Sequence, residues 1–566
     1  MKRVFPLLGL LLLGVSAMAA SGSASSDNTS IQQPFVVAFP KTNVHFDPIY
    51  GITSTEAQIY TALYEGLVTY NPVTLEPLPG VAKSWDITDH GTVYTFHLRN
   101  NAEYWNGQPV TAQDFRNSWL HVLDPKVKAQ YSFLLDSIVG AKAYRTGKST
   151  DPNSVGIKVI NNETLQVTLA HPAAEFLKIL CHYSFVPIPP GYIDKKNWAA
   201  GNGVIPGNGP FYVIKHTATE IDLTKNNLYW DAANVLLPSI KIMLTDNAAT
   251  VTKDFNNGAI QWATGNVEWN KVNKTNAIIV NPLFATSYFY FKADKAPWNN
   301  PEVRRALALL LPWSEIRQKS DLYIPASTLV PRISSYPEVT GIDKSNPTEA
   351  LDLLKKAGFP NGSGLPTITI LIPNDPESAR IAGIMLTTWE KDLRANVKVE
   401  TMSYSDYYTK LDSASYTLAT MTWIGDFADP LTFLQMWTTT SNLNSGGYSD
   451  TKYDDLITQS MGETGDQRYK TLGDAETVLL DGAEVLPIDH TPALNLIDLN
   501  EIEGWFPNPL DIHPFKYIAY RTPAPIPGVA LAPGYRRAPV VPAHGAPVER
   551  ASYEMPRSAS SGAVLP

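Results

Sequence analysis

The chain has 566 residues, a net charge of −9, 17% charged residues and a single cysteine, Cys181. That length accommodates two or three domains. The negative charge excludes a broad basic surface for nucleic acid, and one cysteine excludes an intramolecular disulfide.

The N-terminus reads as a secretory signal peptide. Lys2 and Arg3 precede an apolar run over residues 4–15, which ends in Ser16, Ala17, Met18, Ala19 and Ala20. The run is shorter than the about 20 residues that a membrane-spanning helix needs. The spacing of Ala17 and Ala19 predicts cleavage after Ala19, with a cut near Ala24 as the alternative. No cysteine lies there to carry a lipid. An unanchored product would be lost from a cell with one membrane, so the expected compartment is a periplasm. Residues 20–30 read as a disordered lead-in.

Folded sequence is expected from about Pro34. Residues 35–39 form a short apolar run that reads as a buried strand. Ile59, Ala62, Leu63 and Leu67 share one face of a helix expected over 55–67. Residues 93–98 alternate as a strand does. Asn106-Gly107 marks a turn, and Thr111 with Asp114 three residues later reads as a helix start. Strands are expected within 155–169, 211–224 and 236–244, and at 285–291, 367–372 and 397–402. The strand at 285–291 is a candidate crossing between lobes. Helices are expected at 301–311, 348–357, 378–394 and 468–481. From Pro523 to Pro566 the chain holds nine prolines and little to build a core from, which reads as a disordered tail.

Catalytic patterns are missing from the sequence. Neither HExxH, a P-loop, GxGxxG nor GxSxG occurs, and the ten histidines lack metal-ligand spacing. Cys181 has apolar flanks and reads as a packed thiol rather than half of a Cys–His pair. Asp454-Asp455 reads as helix-start acids, without the spacing of a calcium loop. The expectation is a protein that is not an enzyme and needs no cofactor or metal.

One stretch carries a specific signature: Leu78-Pro79-Gly80-Val81-Ala82-Lys83-Ser84-Trp85, then Tyr94-Thr95-Phe96-His97-Leu98-Arg99, then Trp105-Asn106-Gly107-Gln108-Pro109-Val110-Thr111-Ala112-Gln113-Asp114-Phe115. Asn208-Gly209-Pro210-Phe211, Asn227-Leu228-Tyr229-Trp230-Asp231, Pro301-Glu302-Val303-Arg304-Arg305 and Pro507-Asn508-Pro509-Leu510 follow in order. With these motifs the chain resembles the peptide/nickel-binding family (family 5) of bacterial extracellular solute-binding proteins over about residues 34–520, and its oligopeptide-binding branch most of all. The signature aromatics Trp85, Phe96 and Trp105 are expected mainly in a core.

The resemblance implies an α/β fold of the type II periplasmic-binding-protein kind: a pear-shaped molecule of two lobes plus an extra domain, with a ligand cleft between lobes. Lobe I would comprise 31–66, 195–290 and 495–522, lobe II (the extra domain) 67–194, and lobe III 291–494. It implies a monomer that carries oligopeptides to the inner-membrane permease subunits of an ABC transporter, with no nucleic-acid partner. In peptide-binding relatives the aspartate three residues after a tryptophan pairs with the ligand's α-ammonium, a place taken here by Asp426 after Trp423. Gly425 would let the backbone come close, Ile424 and its neighbours would pair with an extended ligand, and Trp423, Tyr404 and Tyr131 would wall side-chain pockets.

The sequence departs from those relatives twice. Thr420 stands where some have an arginine for the ligand's carboxylate, and Pro312 interrupts a helix. The alternatives are the same fold holding dipeptides, a nickel complex, a sugar or haem, or a surface adhesin that works through the tail.

Overall fold

The computed structural model describes residues 33–193, 195, 205–318 and 322–521. The expected signal peptide, lead-in and proline-rich tail lie outside the described residues. The described residues from Pro34 form one compact unit built on three large sheets.

The first sheet has seven strands in the order Ile278–Pro282, Pro492–Ile497, Trp262–Thr264, Phe35–Phe39, Ser239–Leu244, Glu220–Lys225 and Phe211–His216. Phe35–Phe39 is central and parallel to both neighbours. Its unbroken apolar sequence suits a strand covered on both faces. Helix Ser54–Leu63 starts at Thr53 with a reciprocal capping box to Glu56.

This helix stops at Leu63, short of the expected 67. A loop docks on its end: Gly209 donates its N–H to the Leu63 carbonyl at 3.0 Å. The Asn208 amide takes both backbone groups of Glu65, at 3.1 and 2.8 Å. A Cβ on Gly209 would lie 2.5 Å from the Leu63 carbonyl carbon, so the Asn-Gly motif closes this helix from outside.

The second sheet has four antiparallel strands in the order Ala82–Thr88, Val93–Leu98, Thr164–Thr168 and Ile157–Asn161. Tyr94, Phe96 and Leu98 alternate inward on Val93–Leu98. Helix Ala112–Leu123 covers them with Phe115 and Trp119. Asp114 fills the expected start position, accepting from the Thr111 N–H at 2.8 Å and hydroxyl at 3.0 Å. Phe96 is fully buried, whereas Trp85 and Trp105 are half-buried. Gly107 has φ +79°, as a tight turn there requires.

The third sheet has six strands in the order Ile324–Pro325, Val485–His490, Ala285–Phe291, Leu418–Ile424, Ile368–Pro373 and Val397–Met402. Helices Pro301–Leu309, Pro347–Lys356 and Pro376–Leu393 pack against it. The first of them stops before Pro312, which caps the short helix Trp313–Ile316 instead.

The strand expected to cross between lobes, Ala285–Phe291, lies wholly in this third sheet. The crossing occurs just before it, at Leu283 and Phe284, after Ile278–Pro282 has paired in the seven-stranded sheet. The chain returns between Val485–His490 and Pro492–Ile497 through Thr491 alone. Pro282 and Pro492 are register partners, so the two crossings lie side by side.

Candidate functional site

A cavity of about 840 Å³ lies where these parts meet. Helix Ser54–Leu63 contributes Ser54 and Ala57, the four-stranded part contributes Tyr131, His182 and Tyr183, and the six-stranded part contributes strand residues 420–424 and the Gly425-Asp426 turn. All six site residues expected from sequence, Asp426, Gly425, Trp423, Ile424, Tyr404 and Tyr131, line this one cavity.

Strand Leu418–Ile424 sets the geometry. One edge pairs with Ala285–Phe291 along its whole length. Its other edge pairs with Ile368–Pro373 only at Leu418 and Ala419. Beyond that, both backbone groups of Thr420 meet the Tyr407 hydroxyl, at 2.9 Å for the N–H and 2.7 Å for the carbonyl. Backbone direction alternates along an antiparallel strand, so Thr422 and Ile424 turn their backbone groups to that same unpaired edge.

Gly425 prolongs the paired edge, its N–H donating to the Phe284 carbonyl at 2.8 Å. A Cβ there would lie 2.7 Å from Phe284 Cδ1 and 2.8 Å from Thr432 Cγ2. Any side chain there would have to displace Phe284 or Thr432, so the turn that carries Asp426 favours glycine. Thr432 secures the turn: its Oγ1 accepts the Asp426 N–H at 2.8 Å, and its carbonyl accepts Trp423 Nε1–H at 3.2 Å. Asp429 ends the loop in a forked pair with Arg468, at 2.7 and 2.9 Å, and Glu175 from the four-stranded part lies 3.6 Å from the same guanidinium.

Among the described residues the Asp426 carboxylate has only long polar contacts: 3.5 Å to His182 Nε2 and 3.5 Å to Thr432 Oγ1. No lysine or arginine among the described residues forms an ion pair with it. His182, which sequence reasoning passed over, is 3% exposed and lies between the rings of Tyr131 and Tyr183, at 4.3 and 4.0 Å. Its Nδ1 accepts from the Ser184 N–H at 3.3 Å, so Nε2 carries the hydrogen and faces Asp426. Its only sequence signal was a polar ring in an apolar segment. Burial, with the nearby Asp426 charge, pushes the Tyr131 and Tyr183 hydroxyls well up, and both stay neutral.

Trp423 is buried, with its ring 6.5 Å from that of Tyr131. Tyr404 is 41% exposed and packs on Tyr408 at 4.9 Å. Thr420 lines the cavity and donates its hydroxyl to the Tyr288 carbonyl at 3.0 Å. Cys181 donates weakly to the Leu177 carbonyl at 3.6 Å, and burial pushes its thiol up, as suits a packed residue. Among the described residues no cluster of metal-ligating side chains occurs.

The cavity thus combines a carboxylate with few hydrogen bonds and a strand edge beside it. The chain belongs to the bacterial extracellular solute-binding proteins, family 5, whose model matches residues 76–445. It is 31% identical over 462 residues to the oligopeptide-binding protein OppA of Bacillus subtilis, covering 77% of this chain and 83% of that one.

The structure of the Escherichia coli murein tripeptide binding protein MppA, 25% identical, matches with a TM-score of 0.79 over 87% of this chain and 99% of its own. MppA in its unliganded open form, also 25% identical, reaches only 0.58 over 86% and 98%. The type II periplasmic-binding-protein fold is thus the fold of this chain, with its lobes arranged unlike that open form.

Proposed function

We propose that this protein captures peptides in the periplasm and delivers them, as a monomer, to the permease subunits of an ABC transporter that imports them. The carrying observation is Asp426. A carboxylate facing a cavity with only two contacts at 3.5 Å is prepared for a cation that brings its own hydrogen bonds, and a peptide's α-ammonium is such a group. The edge beyond Thr420, unpaired among the described residues, suits an extended ligand that adds itself as a strand, through contacts indifferent to its side chains. The names of the relatives, for oligopeptide and murein tripeptide binding, agree with this reading. At about 840 Å³ the cavity falls in the range of pockets for single small ligands, which favours short peptides.

Native mass spectrometry of the mature protein, followed by sequencing of what it releases, tests the reading. A mixture of short peptides is the expected result. One discrete non-peptide mass would leave the fold intact and overturn the ligand. Calorimetry with a tripeptide and its N-acetylated form then tests Asp426: acetylation is expected to abolish most of the affinity, and equal binding would remove the ammonium from the account.

A further inference from the structure

The wall beside Asp426 has a fixed hydrogen-bond polarity. Ser287 and Thr422 are register partners on the central strands of the six-stranded sheet, and with Thr420 and Thr491 they line the cavity. The Thr491 hydroxyl donates to Asp489 Oδ1 at 2.9 Å. Its one hydrogen is thereby used, so in its 2.8 Å contact with Ser287 it must accept. The Ser287 hydrogen therefore goes to Thr491, and in the 2.8 Å contact with Thr422 it is Thr422 that donates. Thr420 gives its hydrogen to the Tyr288 carbonyl. All four hydroxyls have spent their donors inside the protein, and what they turn to the ligand is lone pairs.

The charges along the cavity point the same way. Arg380 is the one lysine or arginine among its described lining residues. Its guanidinium is forked on Glu377 at 2.9 and 2.7 Å and bonded to the carbonyls of Glu315 and Ile316. A ligand carboxylate set against these four hydroxyls would meet only their lone pairs, with the desolvation cost that unpaired charge carries. An ammonium or guanidinium there would find several acceptors at once.

We propose that the cavity selects peptides bearing a lysine or arginine side chain beyond their first residue, held by the acceptor wall of Thr420, Thr422, Ser287 and Thr491. The inference rests on the reading of Asp426 as the ammonium anchor, which orients the peptide along strand Leu418–Ile424 and brings its later side chains over the wall.

The experiment is calorimetry on the mature protein with tetra-alanine and with tetrapeptides in which one alanine, at the second, third or fourth position, is replaced by lysine or by glutamate. At one position lysine is expected to bind about 10-fold or more tighter than glutamate, as a charge-assisted bond does. In Thr422→Val, and separately in Ser287→Ala, that ratio is expected to fall toward one. Glutamate equal to or tighter than lysine at all three positions overturns the acceptor wall while leaving peptide capture standing. No binding by any of these peptides, tetra-alanine included, overturns both.

Discussion

Asp426 and Asp429 sit three residues apart in one loop, and their side chains are equally buried, at 11% exposure each. They have opposite lives. Asp429 is held in a two-bond fork by Arg468 and accepts the Leu431 N–H at 2.9 Å. Asp426 has no contact shorter than 3.5 Å through its carboxylate. Burial and residue type do not tell these two acids apart; the completeness of their hydrogen bonding does, and it is what sets Asp426 aside as the proposed anchor.

The sharpest way to break the contrast is on the structural side. Arg468→Ala leaves Asp429 and Glu175 buried beside an empty place, and the expected cost is about 3–5 kcal/mol of folding stability, read by chemical denaturation. On the binding side, Asp426→Asn is expected to cost about 3 kcal/mol of peptide affinity, on the order of a hundredfold. It should move folding stability by less than about 1 kcal/mol. Calorimetry and a melting curve on the same sample separate the two effects. If Asp426→Asn proved the more destabilising of the two variants, the contrast would be wrong.

Smaller changes sharpen it. Gly425→Ala pushes a methyl group into Phe284 and Thr432, and a loss of about 1–3 kcal/mol in stability is expected, accompanied by weaker binding because the turn moves. His182→Ala removes one long contact to Asp426, and an affinity loss of about 1 kcal/mol is expected. A titration at constant pH checks that figure against the larger effect of Asp426→Asn.

What the sequence disclosed follows from how local each feature is. The Thr111–Asp114 start, the alternation at 93–98 and the helix at Gly465–Asp481 are written within a few residues, and the structure has them. Leu418–Ile424, the strand that carries the site, gave no strand signal. Its mixed sequence becomes a strand because Ala285–Phe291 pairs with it from more than a hundred residues away. That Asp426 lines the cavity was legible through the Trp423-Ile424-Gly425-Asp426 motif. His182 was not, because its meaning lies in a carboxylate 244 positions later, brought close by the fold alone. The polarity of the hydroxyl wall was still less legible, since it depends on which neighbour takes each hydrogen.

The paired crossings between the two larger sheets have a mechanical consequence. Leu283-Phe284 and Thr491 pass side by side, and the partners Pro282 and Pro492 stand next to them. Proline fixes φ on each strand, so torsion for any relative rotation of these sheets is confined to very few bonds. Thr491 belongs to that crossing, and it also lines the cavity. A solute that engaged the proposed wall would therefore bear directly on the residue that joins the two sheets.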